Sequence, residues 1–197
     1  VLAEGSTSLL LKVVDAPGTG TEIDVYRRWW TGRRVDGVIV TDVRVHDRRL
    51  PLLSELGMPA VVLGSDPGFA GAPSTATVWT DDDTLVGTAV RYLVGLGHRR
   101  LARVSGPGEL AHCASRTESF LRITAELGVP PPRVVEADFS GEDGARATRQ
   151  LLLHDRPPTA IMYENDVMAV AAIGAAREAG ISVPAEVSVL AWDDSPL

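Results

Sequence analysis

Two polar pairs, Asn165-Asp166 and Asp193-Asp194, each follow closely on a short apolar run, Ala160 to Tyr163 and Val187 to Leu190. Amides and carboxylates placed this way accept from and donate to hydroxyl groups, so the chemistry they offer is the holding of a polyol or sugar. Taken singly, Asn165-Asp166 reads as a helix cap and Asp193-Asp194 as a solvated turn. Arg116 falls at the start of a helix expected from about Ser115 to Leu127, where its charge opposes the helix dipole. It reads either as an exposed arginine or as a ligand contact. Phe139 follows the apolar run Val134 to Ala137, and is either a core aromatic or a flat wall for a ring. Gly97-His98-Arg99-Arg100 reads as a helix end followed by solvated charge. Catalytic combinations are missing. There is no Gly-x-Ser-x-Gly elbow, and the Pro17 to Gly20 loop lacks the Gly-Lys-Ser/Thr ending of a phosphate loop. His46, His98, His112 and His154 show no paired metal spacing, and the single cysteine, Cys113, excludes an intrachain disulfide and a cysteine-cluster metal site. No enzyme activity, metal or cofactor is expected.

The elements that must position these groups alternate between strand and helix. Leu9 to Val14, Val38 to Val40, Ala60 to Leu63 and Ala76 to Thr80 read as strands in the first part of the chain. Val1 to Thr7 reads as a helix end and turn. Thr21 can cap a helix through about Arg33, and Arg48 to Leu56 is a second helix, closed by Gly57. Gly64 to Ser74 is a Gly/Pro/Ser-rich loop. Asp81-Asp82-Asp83 then opens a helix with Leu85, Ala89, Leu93 and Leu96 on one face. Leu101 to Val104, Val134 to Ala137, Ala160 to Tyr163 and Val187 to Leu190 are strands. The helices between them run from about Ser115 to Leu127, Gly141 to His154 and Val167 to Ala179. The last is apolar nearly all round and reads as buried. This alternation predicts an α/β fold with parallel sheets, and places the polar pairs at the carboxyl ends of strands, where open α/β sheets bind ligands.

The formal charge is −7, from 19 basic and 26 acidic residues. That balance argues against this chain itself gripping a phosphate backbone, which needs clustered Lys and Arg. No apolar run approaches a membrane span, so no membrane association is expected.

Several stretches carry a resemblance in order and spacing. They are the run from Asp81 to Ala102, with Val-Gly-Thr-Ala-Val-Arg-Tyr-Leu-Val-Gly-Leu-Gly-His-Arg-Arg; then Ser115-Arg116-Thr-Glu-Ser-Phe120, Asp138-Phe139 and Glu164-Asn165-Asp166-Val-Met-Ala169; and finally Gly180-Ile-Ser-Val-Pro through Val-Leu-Ala-Trp-Asp-Asp. The chain resembles the effector-binding core of the LacI/GalR family of bacterial transcription regulators. The resemblance implies a periplasmic-binding-protein-like fold of two Rossmann-like subdomains, 1–81 and 82–197, with a small-molecule effector, most simply a sugar, held between them. It implies Arg116, Phe139, Asn165 and Asp193 as effector contacts, with His112 lining the pocket. Gly64 stands where sugar-responsive members often place an acidic residue, and Asp66 is the carboxylate that would reach in instead. Ser119 and Ala191 replace glycines of the family pattern. The resemblance further implies a cytoplasmic homodimer that reads operator DNA through a helix-turn-helix domain absent from this chain. It also implies a first core strand and helix before Val1 and further segments beyond Leu197. A transporter's periplasmic sugar-binding protein, which shares the fold, is the alternative.

Overall fold

The computed structural model describes residues 8–12, 20–64 and 75–196, and divides the chain into two units, Val1–Trp79 and Thr80–Leu197. The expected helix end at Val1 to Thr7, most of the Pro17 to Gly20 loop, and most of the Gly64 to Ser74 loop with Asp66 lie outside the described residues.

The first unit holds α1 (Gly20–Thr31), β1 (Val38–Val40), α2 (Arg49–Leu56), β2 (Ala60–Leu63) and β3 (Ala76–Val78). Its parallel sheet has the order β1-β2-β3, with Val38 opposite Ala60 and Val61 opposite Ala76. Val40 and Val62 are buried, as are Val25 of α1 and Leu50, Leu52 and Leu53 of α2, whereas Ile39 and Val78 are exposed. One expectation fails here. Of the expected strand Leu9 to Val14, residues 9–12 form no strand and Leu9 and Leu11 lie open to solvent, with no strand among the described residues paired to them; Val13 and Val14 lie outside the described residues. Thr21 is inside α1 rather than capping it, and the helix ends at Thr31. Arg49 is a buried staple: it binds Asp47 at 2.6 Å, Glu22 at 3.3 Å, and the carbonyls of Thr41 and Asp42 at 3.0 and 2.9 Å. These bonds fasten the loop that leaves β1.

The second unit holds α3 (Asp82–Gly95), β4 (Leu101–Ser105), α4 (Ala111–Glu126), β5 (Arg133–Glu136), α5 (Gly141–Leu152), β6 (Ala160–Tyr163), α6 (Asp166–Glu178) and β7 (Ser188–Ala191). The strands are parallel in the order β5-β4-β6-β7. Strand side chains alternate between faces, so β6 feeds two cores. Ile161 and Tyr163 pack with Ala147, Leu151, Met168 and Ala172 of α5 and α6. Ala160 and Met162 pack with Val86, Val90, Phe120 and Ile123 of α3 and α4. The result is a three-layer unit with its central strands covered on both faces, as a parallel sheet requires. Gly144 sets the spacing of α5 and α6: a Cβ there would lie 2.6 Å from the Cβ of Met168. Asp81, Ser140 and Asn165 cap α3, α5 and α6, each accepting a backbone N–H three residues on.

Two readings need correction. Helix α4 begins at Ala111, not near Ser115, so Arg116 lies in its second turn and not at its first residues. Helix α6 is not buried all round. Met168, Ala169, Ala172, Ala175 and Ala176 face the core, while Val167, Val170 and Ile173 are exposed along the other side. Among the described residues, no helix is long and apolar enough to cross a membrane.

Candidate functional site

The candidate residues converge on the carboxyl edge of the second unit's sheet. Register aligns Val104 with Tyr163 and Tyr163 with Ala191, so Ser105, Glu164 and Trp192 emerge side by side from β4, β6 and β7. Ser105 pairs with Glu136, which brings the Ala137 to Phe139 segment to the same edge.

Asn165 has two engagements. Its Oδ1 accepts from the Met168 N–H at 2.8 Å, capping α6, and its Nδ2 donates to the Phe139 carbonyl at 3.0 Å. The second bond holds Phe139, whose φ of 70° is a left-handed conformation that a side chain tolerates at a cost. The half-buried Phe139 ring lies over Gly106, where a Cβ would come within 2.3 Å of Cζ. It also stacks beside His112, with centroids 6.4 Å apart and planes inclined by 23°. Of the two readings of Phe139, the core aromatic holds in part: its ring packs against the α5/α6 core, and the residue stands at the sheet edge.

Arg116 is held from three sides. Nη1 donates to Glu164 Oε1 at 2.6 Å, Nε lies 3.0 Å from Asp82 Oδ2, and Cζ sits 4.0 Å from the centroid of the Trp192 ring. The last is cation–π geometry. The approach to Asp82 is an ion pair without an aligned hydrogen bond, since Arg116 Nε and Asp82 Oδ1 both lack a hydrogen-bond partner among the described residues. Glu164 is buried, and its second oxygen accepts from Nη2 of the fully buried Arg103. Arg103 Nε donates to Thr117 Oγ1 of α4 at 3.2 Å. Burial pulls the Arg103 guanidinium below its ordinary range, and the Glu164 carboxylate pulls it back. Neither Arg103 nor Glu164 stood out in the sequence as a site residue. A signal was available: an arginine in the middle of the buried strand Leu-Ala-Arg-Val-Ser must find a carboxylate.

Asp193 is exposed. The loop that carries it is tied to α6, because Asp166 Oδ2 accepts from the Ser195 N–H at 2.9 Å. The two polar pairs thus share one edge. Arg116, Asn165, Phe139 and His112 join in one cluster there, while Asp193 lies beyond Trp192 in the exposed segment.

His112, Cys113 and Glu164 also bring one ligand-type atom each within 4.8 Å of one another. Their chemistry does not suit a cation. Both Glu164 oxygens are taken by guanidinium groups, and burial pushes the Cys113 thiol up to about 12. Among the described residues, the edge presents hydrogen-bond donors, acceptors and an aromatic face.

A periplasmic-binding-protein-like domain model matches residues 90–197. Among curated proteins, the transcriptional repressor CytR of Escherichia coli is 30% identical over 171 residues, covering 84% of this chain and 48% of the repressor. The repressor PurR of Salmonella newport is 37% identical over 167 residues, with 82% and 48% covered. The chain thus spans about half the length of these relatives. Among solved structures, a LacI family transcriptional regulator from Bifidobacterium animalis superposes with a TM-score of 0.81 at 36% identity, over 88% of this chain and 63% of that one. A complex of the regulator CelR with cellobiose gives 0.77 at 28% identity, over 90% and 54%.

Proposed function

Because the chain belongs to the LacI/GalR family of transcriptional regulators and carries its periplasmic-binding-protein-like effector core, we propose that the intact protein is a cytoplasmic regulator and that this core binds a sugar or similar polyol. The observation that carries the reading is the clustering of Arg116, Asn165, Phe139 and His112 on one sheet edge. Arg116 would donate to the ligand's oxygens. Asn165, through the amide hydrogen not used on Phe139, and Asp193 would hold hydroxyls. Phe139 would cover an apolar ring face, with His112 beside it. The relatives are repressors rather than enzymes or transport proteins, which favours this reading over the transporter alternative.

Operator DNA would be read by a helix-turn-helix domain outside these 197 residues, consistent with a core whose net charge is −7. The effector acts by binding one conformation better than another, and shifts the equilibrium only by that difference. A homodimer is part of the proposal. The exposed strip of Val167, Val170 and Ile173 on α6 offers an apolar surface, and two-fold symmetry matches a palindromic operator. A thermal-shift screen of sugars and nucleosides on the intact protein tests the ligand class. A raised melting temperature with a sugar supports it, and a response confined to nucleosides refutes it. Sedimentation of the intact protein as a monomer at micromolar concentration would refute the dimer.

A further inference from the structure

The buried charges behind Arg116 exceed what a simple binding arginine needs. Arg103 is fully buried and spends its charge on Glu164, which is itself buried and also binds Arg116. Asp82 adds a second carboxylate against Arg116, at 3.0 Å. The four groups sum to zero: two guanidinium cations against two carboxylate anions. A buried ion pair contributes little net stability compared with apolar residues of the same volume, because desolvation offsets the attraction. Its consequence here lies in what it does to Arg116. The guanidinium is oriented by Glu164 and by Trp192, and its charge is already answered twice before any ligand arrives. The exposed Asp193 and Asp194 add further negative charge on the same edge. A neutral hydroxyl or carbonyl oxygen can still accept from the positioned guanidinium. An anion approaching it meets two carboxylates at close range, and at that range Coulomb terms in a partly buried site decide binding.

We propose that Glu164, anchored by Arg103, acts with Asp82 to hold Arg116 in place with its charge compensated, so that this site takes uncharged ligands and turns away anionic ones such as phosphorylated sugars. Glu164 is in this account a positioning and selectivity residue that never touches the ligand. The inference rests on reading this edge as a ligand site.

The test uses inorganic phosphate on the intact protein, titrated by calorimetry at constant ionic strength. Wild type is expected to show no saturable heat in the millimolar range. Asp82→Asn removes one carboxylate from Arg116 and leaves the Arg103–Glu164 pair intact, and its circular dichroism is expected to match wild type. It is expected to bind phosphate about tenfold or more tightly than wild type. Glu164→Gln should do the same if it folds. Should the unpaired Arg103 unfold it, the double variant R103M/E164Q removes the buried pair together and releases Arg116. Adding Arg116→Ala to either background must abolish the gain. Arg116-dependent phosphate binding by wild type overturns the proposal, and so does silence from both Asp82→Asn and the double variant. The probe is not the effector, so a result against this proposal leaves the regulator reading standing. Failure of every sugar in the screen would strike the sugar assignment without touching this proposal.

Discussion

Asn165 joins helix α6 to the Phe139 segment, and its two bonds can be separated by substitution. Asn165→Ala removes both the cap bond to the Met168 N–H and the brace to the Phe139 carbonyl. The cap contributes about 1 kcal/mol and the brace, a neutral hydrogen bond, about another 1 kcal/mol. The expected loss is therefore about 2 kcal/mol in urea unfolding at constant m-value. Asn165→Asp keeps the capping oxygen, and its charge suits the start of α6. It cannot donate to Phe139, so it should lose about half as much, roughly 1 kcal/mol. Asp81→Ala, which removes the analogous cap on α3, serves as a control of similar cost without touching Phe139. The His112 ring stacks beside Phe139, so its NMR signals should move in both Asn165 variants and stay in place in Asp81→Ala. Equal destabilisation by Asn165→Ala and Asn165→Asp would refute the division into cap and brace. Unmoved His112 signals would refute the claim that Asn165 positions the aromatic wall.

Three further outcomes follow from buried groups. Cys113 is fully buried and its thiol is pushed up to about 12, so thiol reagents at pH 8 should leave the folded protein unlabelled and react stoichiometrically once it is unfolded; fast labelling of the native state would contradict the burial. Burial alone would raise the Asp47 carboxyl, but bonds from Arg49 and from the Arg44 and Arg49 N–H groups outweigh it and hold it below its ordinary 3.8. Its stabilising contribution is complete at neutral pH and is lost as pH falls through that value towards the lower folded one, so Asp47→Asn should flatten the acid end of a stability profile in that window. Gly144→Ala should force α5 from α6 and cost about 1–3 kcal/mol of stability, and a variant as stable as wild type would show that the helix contact is looser than described.

The fold was legible because its signals are local. Apolar runs of strand length alternate with helical periods, and glycines such as Gly97, Gly128 and Gly180 close helices with left-handed backbone. The Asn165 cap was readable for the same reason. The start of α4 was not. Ser115 looks like a cap, yet the helix begins after Leu110, which offers no side-chain hydrogen bond, so no sequence signal marks the true end. That misplacement put Arg116 against a dipole it does not meet. The nearly uniform apolarity of Val167 to Ala176 conceals which side of α6 faces the core, because periodicity cannot distinguish sides that are equally apolar. The Arg103–Glu164–Arg116 chain depends on side chains 61 and 48 residues apart. The parallel pairing of β4 and β6 brings Arg103 to Glu164, and helix α4 carries Arg116 to them. Of the family-implied contacts, Asn165 and Phe139 are joined by a hydrogen bond, a relation that a list of separate contacts could not express.

The most direct measurement is calorimetric titration of the intact protein with the best sugar from the screen, in wild type, Arg116→Ala and Asp193→Ala. Each substitution removes one charged hydrogen bond to the ligand in this account. Affinity should fall by roughly tenfold to a hundredfold, about 1.5–3 kcal/mol, for each variant. Circular dichroism must show both variants folded. Unchanged affinity in both would contradict the assignment of this sheet edge as the effector site.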